Sequence, residues 1–153
     1  MRTETIERSL GVSPLAILGL ALLAVPRVIL HDLGLTDPVV NGVLTFLPLA
    51  AWLAVVLWRR VPNAFKTLLT IGVTYGVLLA ATHQVLWTES FGDNPPALGG
   101  NLAGVLDPAI EGVLFRVFAV FSSVLTGVVV GLITGAVGWL LSRAVPGFRP
   151  RGR

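Results

Sequence analysis

The feature that most constrains this chain is the stretch from Val117 to Leu141, which contains no charged residue. It is longer than the roughly 20 apolar residues that a helix needs to cross a bilayer. A soluble helix of this length would carry a charged or polar face, and this stretch has no charged one. It therefore predicts a transmembrane helix, and we expect the rest of the chain to pack against it.

Three further apolar blocks precede this stretch, separated by short polar joints. The chain is 54% hydrophobic and 12% charged, whereas soluble domains are about 25% charged. Such a chain cannot cover its apolar surface in water, so the blocks predict membrane-spanning helices. The predicted fold is an all-α integral membrane protein, a single domain over residues 1–153 with four transmembrane helices in a bundle. We expect the helices at about 14–33, 38–58, 64–87 and 108–142.

Short polar residues mark where the helices begin. Asn63 is the expected cap of the third helix. In each of the other helices a capping residue stands directly before a proline, which at the first helical position lacks only an N–H that would be unpaired anyway. These three starts are Ser13-Pro14, Asp37-Pro38 and Asp107-Pro108.

Other prolines and glycines predict the irregular parts of the chain. Pro26 and Pro48 lie inside helices and are expected to kink them. Residues 88–106 contain two prolines and two paired glycines, which predicts the one long loop. Residues 1–12 are expected to be a short polar tail.

Small residues recur at a spacing of about four in the third and fourth helices. Such stripes allow helix backbones to approach closely in lipid. The two stripes are expected either to face each other or to form a contact between protomers. Their residues are Gly72, Gly76 and Ala80 in the third helix and Ser123, Gly127, Gly131, Gly135 and Gly138 in the fourth.

Charges are distributed unequally between the two ends of a four-span bundle. The end that holds both termini receives Arg2, Arg8, Arg59, Arg60, Lys66, Arg143, Arg149, Arg151 and Arg153. The other end receives Asp32, Asp37, Glu89, Asp93, Asp107 and Glu111. Basic residues accumulate on the cytoplasmic side of membrane proteins, which predicts cytoplasmic termini, an extracytoplasmic loop 88–106 and insertion in a plasma membrane. The net charge of +3 is thereby explained without a nucleic acid partner.

Several polar residues lie within the apolar blocks, all near the predicted outer end. Polar groups inside a membrane usually face inward and pair, so we expect Arg27 or Arg116 to pair with Glu111, Asp32 or Glu89. The alternative is that the arginines reach the headgroups and the histidines cap helix ends. The candidate ligand or ion site comprises Arg27, His31, Asp32, Asn41, His83, Gln84, Glu89, Glu111 and Arg116.

Cofactor chemistry has little support in the sequence. His31 and His83 are the only histidines, and two imidazoles are the axial ligand set of some haems. With Asp32 and Glu89 they supply enough groups for a zinc site. Neither pattern has a second motif, so no cofactor or metal is predicted. The chain also lacks cysteine and the common hydrolase motifs, so no catalytic residue is assigned and an enzyme is not expected.

Three functions remain open at this stage. The favoured one is a small membrane protein, bacterial by its arginine-rich composition, that acts through helix packing. It would be a homo-oligomer or the subunit of a larger membrane complex, with the bilayer and another membrane protein as its partners. The second is a small channel or transporter with an outer polar vestibule lined by Arg27 and Arg116. The third is a haem-binding or metal-binding redox protein built on His31 and His83.

Overall fold

The computed structural model describes Glu7 and residues 9–150, and every regular element in this part of the chain is helical. Four segments are long and apolar enough to cross a membrane, the first of them being the broken pair α1–α2. The predicted all-α class with four such segments is therefore confirmed. The helices are α1 (Pro14–Leu22), α2 (Val25–Asp32), α3 (Pro38–Trp58), α4 (Ala64–Val85), α5 (Trp87–Phe91) and α6 (Pro108–Ala144), with short 3-10 turns at Gly100–Leu102 and Pro146–Phe148.

The predicted boundaries of the third helix and of the long loop need correction. α4 ends at Val85, and the chain forms the separate short helix α5 over the first residues of the predicted loop. Gly92 follows with a positive φ of 53°, a conformation that glycine adopts readily. The irregular loop is therefore shorter than 88–106, and α5 forms part of the site described below.

The helix starts follow the predicted caps. The side chains of Ser13, Asp37, Asn63 and Asp107 each accept a hydrogen bond from a backbone N–H of the first turn. These bonds satisfy donors that have no partner within the helix.

The first span is interrupted between Leu22 and Val25, as Pro26 predicted. The chain forms tight turns there, because the Leu23 and Ala24 N–H groups bond three residues back instead of four. The indole Nε1–H of the fully buried Trp52 donates to the Leu20 carbonyl at 2.7 Å. A side chain of α3 thus stabilises the interruption. α3 itself continues through Pro48 as a single helix.

The central helix is α4, not the last span. α4 contacts α1, α2, α3 and α6, whereas α6 packs mainly along α4 and to a smaller extent on α3. Half of the apolar stretch of α4 is buried (50%), whereas 22% of the apolar stretch of α6 is buried. The expectation that the chain is organised around α6 is therefore wrong, because one face of α6 is covered and the remainder is exposed.

The two small-residue stripes lie against each other in an antiparallel α4–α6 pair. A Cβ atom on Gly72 would fall 2.6 Å from the Gly127 carbonyl oxygen, and one on Gly76 would fall 3.0 Å from that of Val124. Gly135 faces Phe65 in the same contact. The stripes are thus occupied within one chain, and contact with another protein would have to use a different surface.

Residues 9–12, the described end of the predicted polar tail, pack on the bundle. Leu10 and Val12 belong to the buried core, and the hydroxyl of Thr67 donates to the Leu10 carbonyl at 2.7 Å. This segment therefore covers the start of α4. Arg2, Arg8, Arg151 and Arg153, which were used to predict orientation, lie outside the described residues.

Candidate ligand-binding site

A cavity of about 430 Å³ lies at the end of the bundle where α2 and α4 end. α2 and α6 make few contacts with each other, and the cavity occupies the space between them. Its walls also include α5 and one loop residue. The lining residues are His31, Asp32, Leu79, His83, Trp87, Ser90, Phe91, Pro96, Phe115, Phe118, Ala119, Ser122, Ser123 and Thr126.

A carboxylate with two histidine neighbours lies in the cavity wall. The Asp32 side chain is only 7% exposed, and its Oδ2 lies 2.6 Å from Nδ1 of His83. Its other oxygen, Oδ1, lies 3.5 Å from Nδ1 of His31, whose side chain is 60% exposed. When this carboxylate is ionised it can only accept hydrogen bonds, and Nδ1 of His83 then carries the hydrogen that it shares with Asp32.

The end of α2 holds Asp32 in this position. Gly34 has a φ of 68° and donates to the His31 carbonyl, and the Leu35 N–H donates to the Leu30 carbonyl at 2.8 Å. These two bonds form the glycine-ended cap that commonly closes a helix. Asp32 is therefore the last residue of a well-defined helix and reaches α4 from a fixed backbone.

Hydroxyl groups of α6 line the facing wall. Ser122 and Ser123 both donate to the Ala119 carbonyl, and Thr126 donates to the carbonyl of Ser122. All three hydrogen bonds therefore lie within α6 itself. Because their hydrogens are used within α6, their oxygens remain as hydrogen-bond acceptors at the cavity.

Ser90 contributes a further polar group from α5. Its Oγ is buried and has no hydrogen-bond partner within Glu7 and residues 9–150. A buried hydroxyl without a partner is costly, unless a molecule in the cavity supplies one. This group was not predicted, because residues 88–91 were assigned to a loop.

Aromatic rings form much of the apolar lining. Trp87 and Phe91 of α5 pack with ring centroids 4.9 Å apart, and Phe115 and Phe118 line the cavity from α6. The guanidinium of Arg116 lies 4.7 Å from the centroid of the Trp87 ring but is not part of the lining. The cavity thus combines apolar walls with a few polar groups, as small-molecule sites usually do.

Neither of the two arginines pairs with a carboxylate in the described part of the chain, contrary to the expectation above. The Nε–H of Arg27 donates to Oδ1 of Asn41 at 3.0 Å, and its guanidinium lies beside the Tyr75 hydroxyl. Arg116 contacts the Gln84 side chain at 3.4 Å. Amide oxygens accept these hydrogen bonds, which explains how the arginines are accommodated without an acid.

The predicted polar residues therefore separate into several groups. His31, Asp32 and His83 meet at the cavity, and Gln84 and Arg116 lie beside it. Arg27 and Asn41 form a pair between α2 and α3. Glu111 accepts a hydrogen bond from the backbone of Leu98 and holds the loop, while Glu89 is exposed.

The metal hypothesis gains no cluster of ligands from the structure. Among the described residues, no three histidine, aspartate or glutamate side chains are placed to hold a metal ion. His31 and His83 do line the same cavity. Because Nδ1 of His83 contacts the Asp32 carboxylate, a metal ion at His83 would have to bind Nε2.

Comparison of this chain with protein families, with curated proteins and with solved structures gave no match.

Proposed function

We propose that this protein spans the plasma membrane four times and binds an amphiphilic small molecule whose head group donates hydrogen bonds. The binding site is the cavity between α2, α4, α5 and α6. In the proposed orientation both termini are cytoplasmic, so the cavity lies near the outer surface of the membrane.

The exposed surface of the bundle supports insertion in a bilayer. Large apolar side chains such as Phe46 of α3 and Phe121 of α6 are 70% and 66% exposed. In water such a surface would be unfavourable at about 25 cal/mol per Å² of apolar area, whereas lipid tails cover it without that cost. The basic residues at the opposite end from the cavity support the orientation, because they favour the cytoplasmic side.

The observation that carries the proposed ligand chemistry is the Asp32 carboxylate, 7% exposed, in the wall of a mostly apolar cavity. Its Oδ2 contacts His83, and the carboxylate can accept further hydrogen bonds through its remaining lone pairs. The hydroxyl oxygens of Ser122, Ser123 and Thr126 add further acceptors. A ligand with a donating head and an apolar body satisfies both parts of this lining.

Phenylbutanol and phenylbutylamine test this proposal, because each has an apolar body and a donating head. Binding is measured by calorimetry on the protein in lipid nanodiscs, with empty nanodiscs as the blank. We expect saturable binding of at least one compound to the protein and none to the blank.

A variant that fills the cavity locates the site. Ser122→Phe places a ring in the cavity and should abolish binding. Val129→Phe is its matched control, because Val129 is exposed on the same helix and does not line the cavity. Absence of saturable binding of both compounds, or equal binding to both variants, would show that the cavity is not a ligand site.

A further inference from the structure

We infer that the natural ligand of this cavity is an amphiphilic cation, a protonated amine, and that it binds in exchange for one proton carried by His83. The inference rests on the proposed function and goes beyond it, because it assigns the charge of the ligand and couples its binding to a proton.

The side chains that line the cavity can have no net charge in two ways, one without a ligand and one with a bound cation. When His83 is protonated, its imidazolium and the Asp32 carboxylate form an ion pair through the 2.6 Å contact between Nδ1 and Oδ2. When His83 is neutral, it still donates through Nδ1, but the charge of Asp32 is no longer balanced. A carboxylate that is 7% exposed then favours a cation in the cavity, since an unpaired buried charge is costly.

The exchange is balanced in atoms and in charge. The imidazolium of His83 releases one proton to water, and one ammonium group enters the cavity. The wall is neutral before and after, with His83 and Asp32 forming the pair in the first state and the ligand and Asp32 in the second. No bond other than the N–H of the imidazolium is broken.

The other ionisable groups near His83 and Asp32 are less suited than His83 to exchange a proton for the ligand. Histidine changes its charge between about pH 5 and 8. His31 lies farther from Asp32, at 3.5 Å, and its side chain is mostly exposed, so it interacts with the carboxylate more weakly than His83 does. Arg116 lies over Trp87, and guanidinium groups stay charged throughout this range. Glu89 of α5 is exposed and does not line the cavity.

The residues that line the cavity also provide groups that interact favourably with an ammonium ion. An ammonium group has three N–H donors, and the acceptors that line this cavity are the carboxylate of Asp32 and the hydroxyl oxygens of α6. The ring of Phe91 also lines the cavity, and aromatic faces attract cations. An alcohol of the same shape has one donor and no charge, so it can use only part of this lining.

The decisive experiment compares phenylbutylamine with phenylbutanol at pH 5 and pH 8 in nanodiscs. The amine stays charged at both values, because alkylammonium groups titrate near pH 10, like lysine. We expect the affinity for the amine to rise at least tenfold from pH 5 to pH 8 and that for the alcohol to change less than twofold. In weakly buffered solution near pH 5, binding of the amine should release about one proton per ligand.

Variants assign the effect to individual groups. His83→Asn keeps an N–H donor for Asp32 and should remove the pH dependence while retaining amine binding. Asp32→Asn should reduce amine binding at least tenfold and alcohol binding far less, because the amide oxygen still accepts a hydrogen bond but carries no charge. Asp93→Asn is the matched control, because Asp93 is exposed in the loop.

The two proposals fail in different ways. If the alcohol and the amine bind equally well with no dependence on pH, the cation exchange is wrong and the ligand site remains. If the wild-type protein binds the amine without releasing a proton, the exchange is also wrong, whether or not the variants fold. A pH dependence that persists in His83→Asn and disappears in His31→Asn would overturn the assignment to His83. If neither compound binds, the proposed function itself fails.

Discussion

Nδ1 of His83 lies 2.6 Å from Oδ2 of Asp32, although 51 residues separate the two along the chain. The contact joins the last turn of α2 to the end of α4 at the wall of the cavity. It therefore connects the position of α2 to the ligand site. Replacing His83 or Asp32 should change both the stability of the fold and the binding of the ligand.

Replacing His83 with an apolar residue should destabilise the fold. His83→Leu leaves the carboxylate of Asp32 buried without its hydrogen bond, which costs about 1–3 kcal/mol. His31→Leu is the matched control and should cost less than about 0.5 kcal/mol, because His31 is mostly exposed. Reversible unfolding in mixed micelles measures both values. Equal losses would show that the His83–Asp32 contact contributes nothing to stability.

Adding a methyl group in the contact between the glycine stripes should separate α4 and α6. In Gly72→Ala the new Cβ would meet the Gly127 carbonyl oxygen at 2.6 Å, and we expect a loss of about 1–3 kcal/mol. Gly19→Ala in α1 has no atom within 4 Å of its new Cβ and should gain about 0.5–1 kcal/mol from helix propensity. Unfolding measurements compare the two. If Gly72→Ala is as stable as Gly19→Ala, the helices do not meet at this position.

Removing one hydrogen bond should loosen the interruption between α1 and α2. Trp52→Phe keeps an aromatic ring but leaves the Leu20 carbonyl without the indole donor, for a loss of about 1–3 kcal/mol. Trp58 is 84% exposed, so Trp58→Phe should be close to neutral. The difference between the two unfolding free energies gives the contribution of the buried Trp52–Leu20 hydrogen bond to stability. Equal free energies would contradict the role given to Trp52.

The proposed orientation can be measured with single cysteines, because the natural chain contains none. Asp93→Cys lies in the exposed loop beside the cavity and Arg59→Cys at the basic end. A membrane-impermeant maleimide added to intact cells should label the first, and the second only after permeabilisation. The reverse pattern would place the termini outside and contradict the charge argument.

The absorption spectrum separates the amine proposal from the haem alternative. The amine proposal requires no haem, so we expect the purified protein to show no Soret band. A Soret band that disappears in His83→Ala or His31→Ala would instead support haem bound between these histidines.

The helical spans and their starts could be predicted from the sequence because they depend on local chemistry. An apolar run of sufficient length specifies a span, and a cap before a proline specifies its first residue whatever packs against it. Asp37 and Pro38 begin α3 as expected for this reason. The end of α4 was predicted two residues too late, because the sequence alone does not show that the chain starts a new helix at Trp87.

The partners of these helices depended on tertiary structure. The spacing of Gly72 and Gly127 predicted close packing but was equally consistent with a contact between chains. The acids and bases near the cavity were identified by type, yet their pairing was expected to follow charge, with arginine on a carboxylate. In the structure Arg27 contacts Asn41, and Asp32 contacts a histidine.

What the sequence by itself determined is therefore the number of long apolar helices, where they start and the stripe on each of two of them, because hydropathy, capping and spacing act within a few turns. Only the tertiary structure decided that α4 is central and that α2 and α6 remain apart with the cavity between them. The physical reason is that the rotation and lateral position of a helix depend on the side chains of its neighbours. Those contacts join residues as distant as Asp32 and His83, and no local pattern records them.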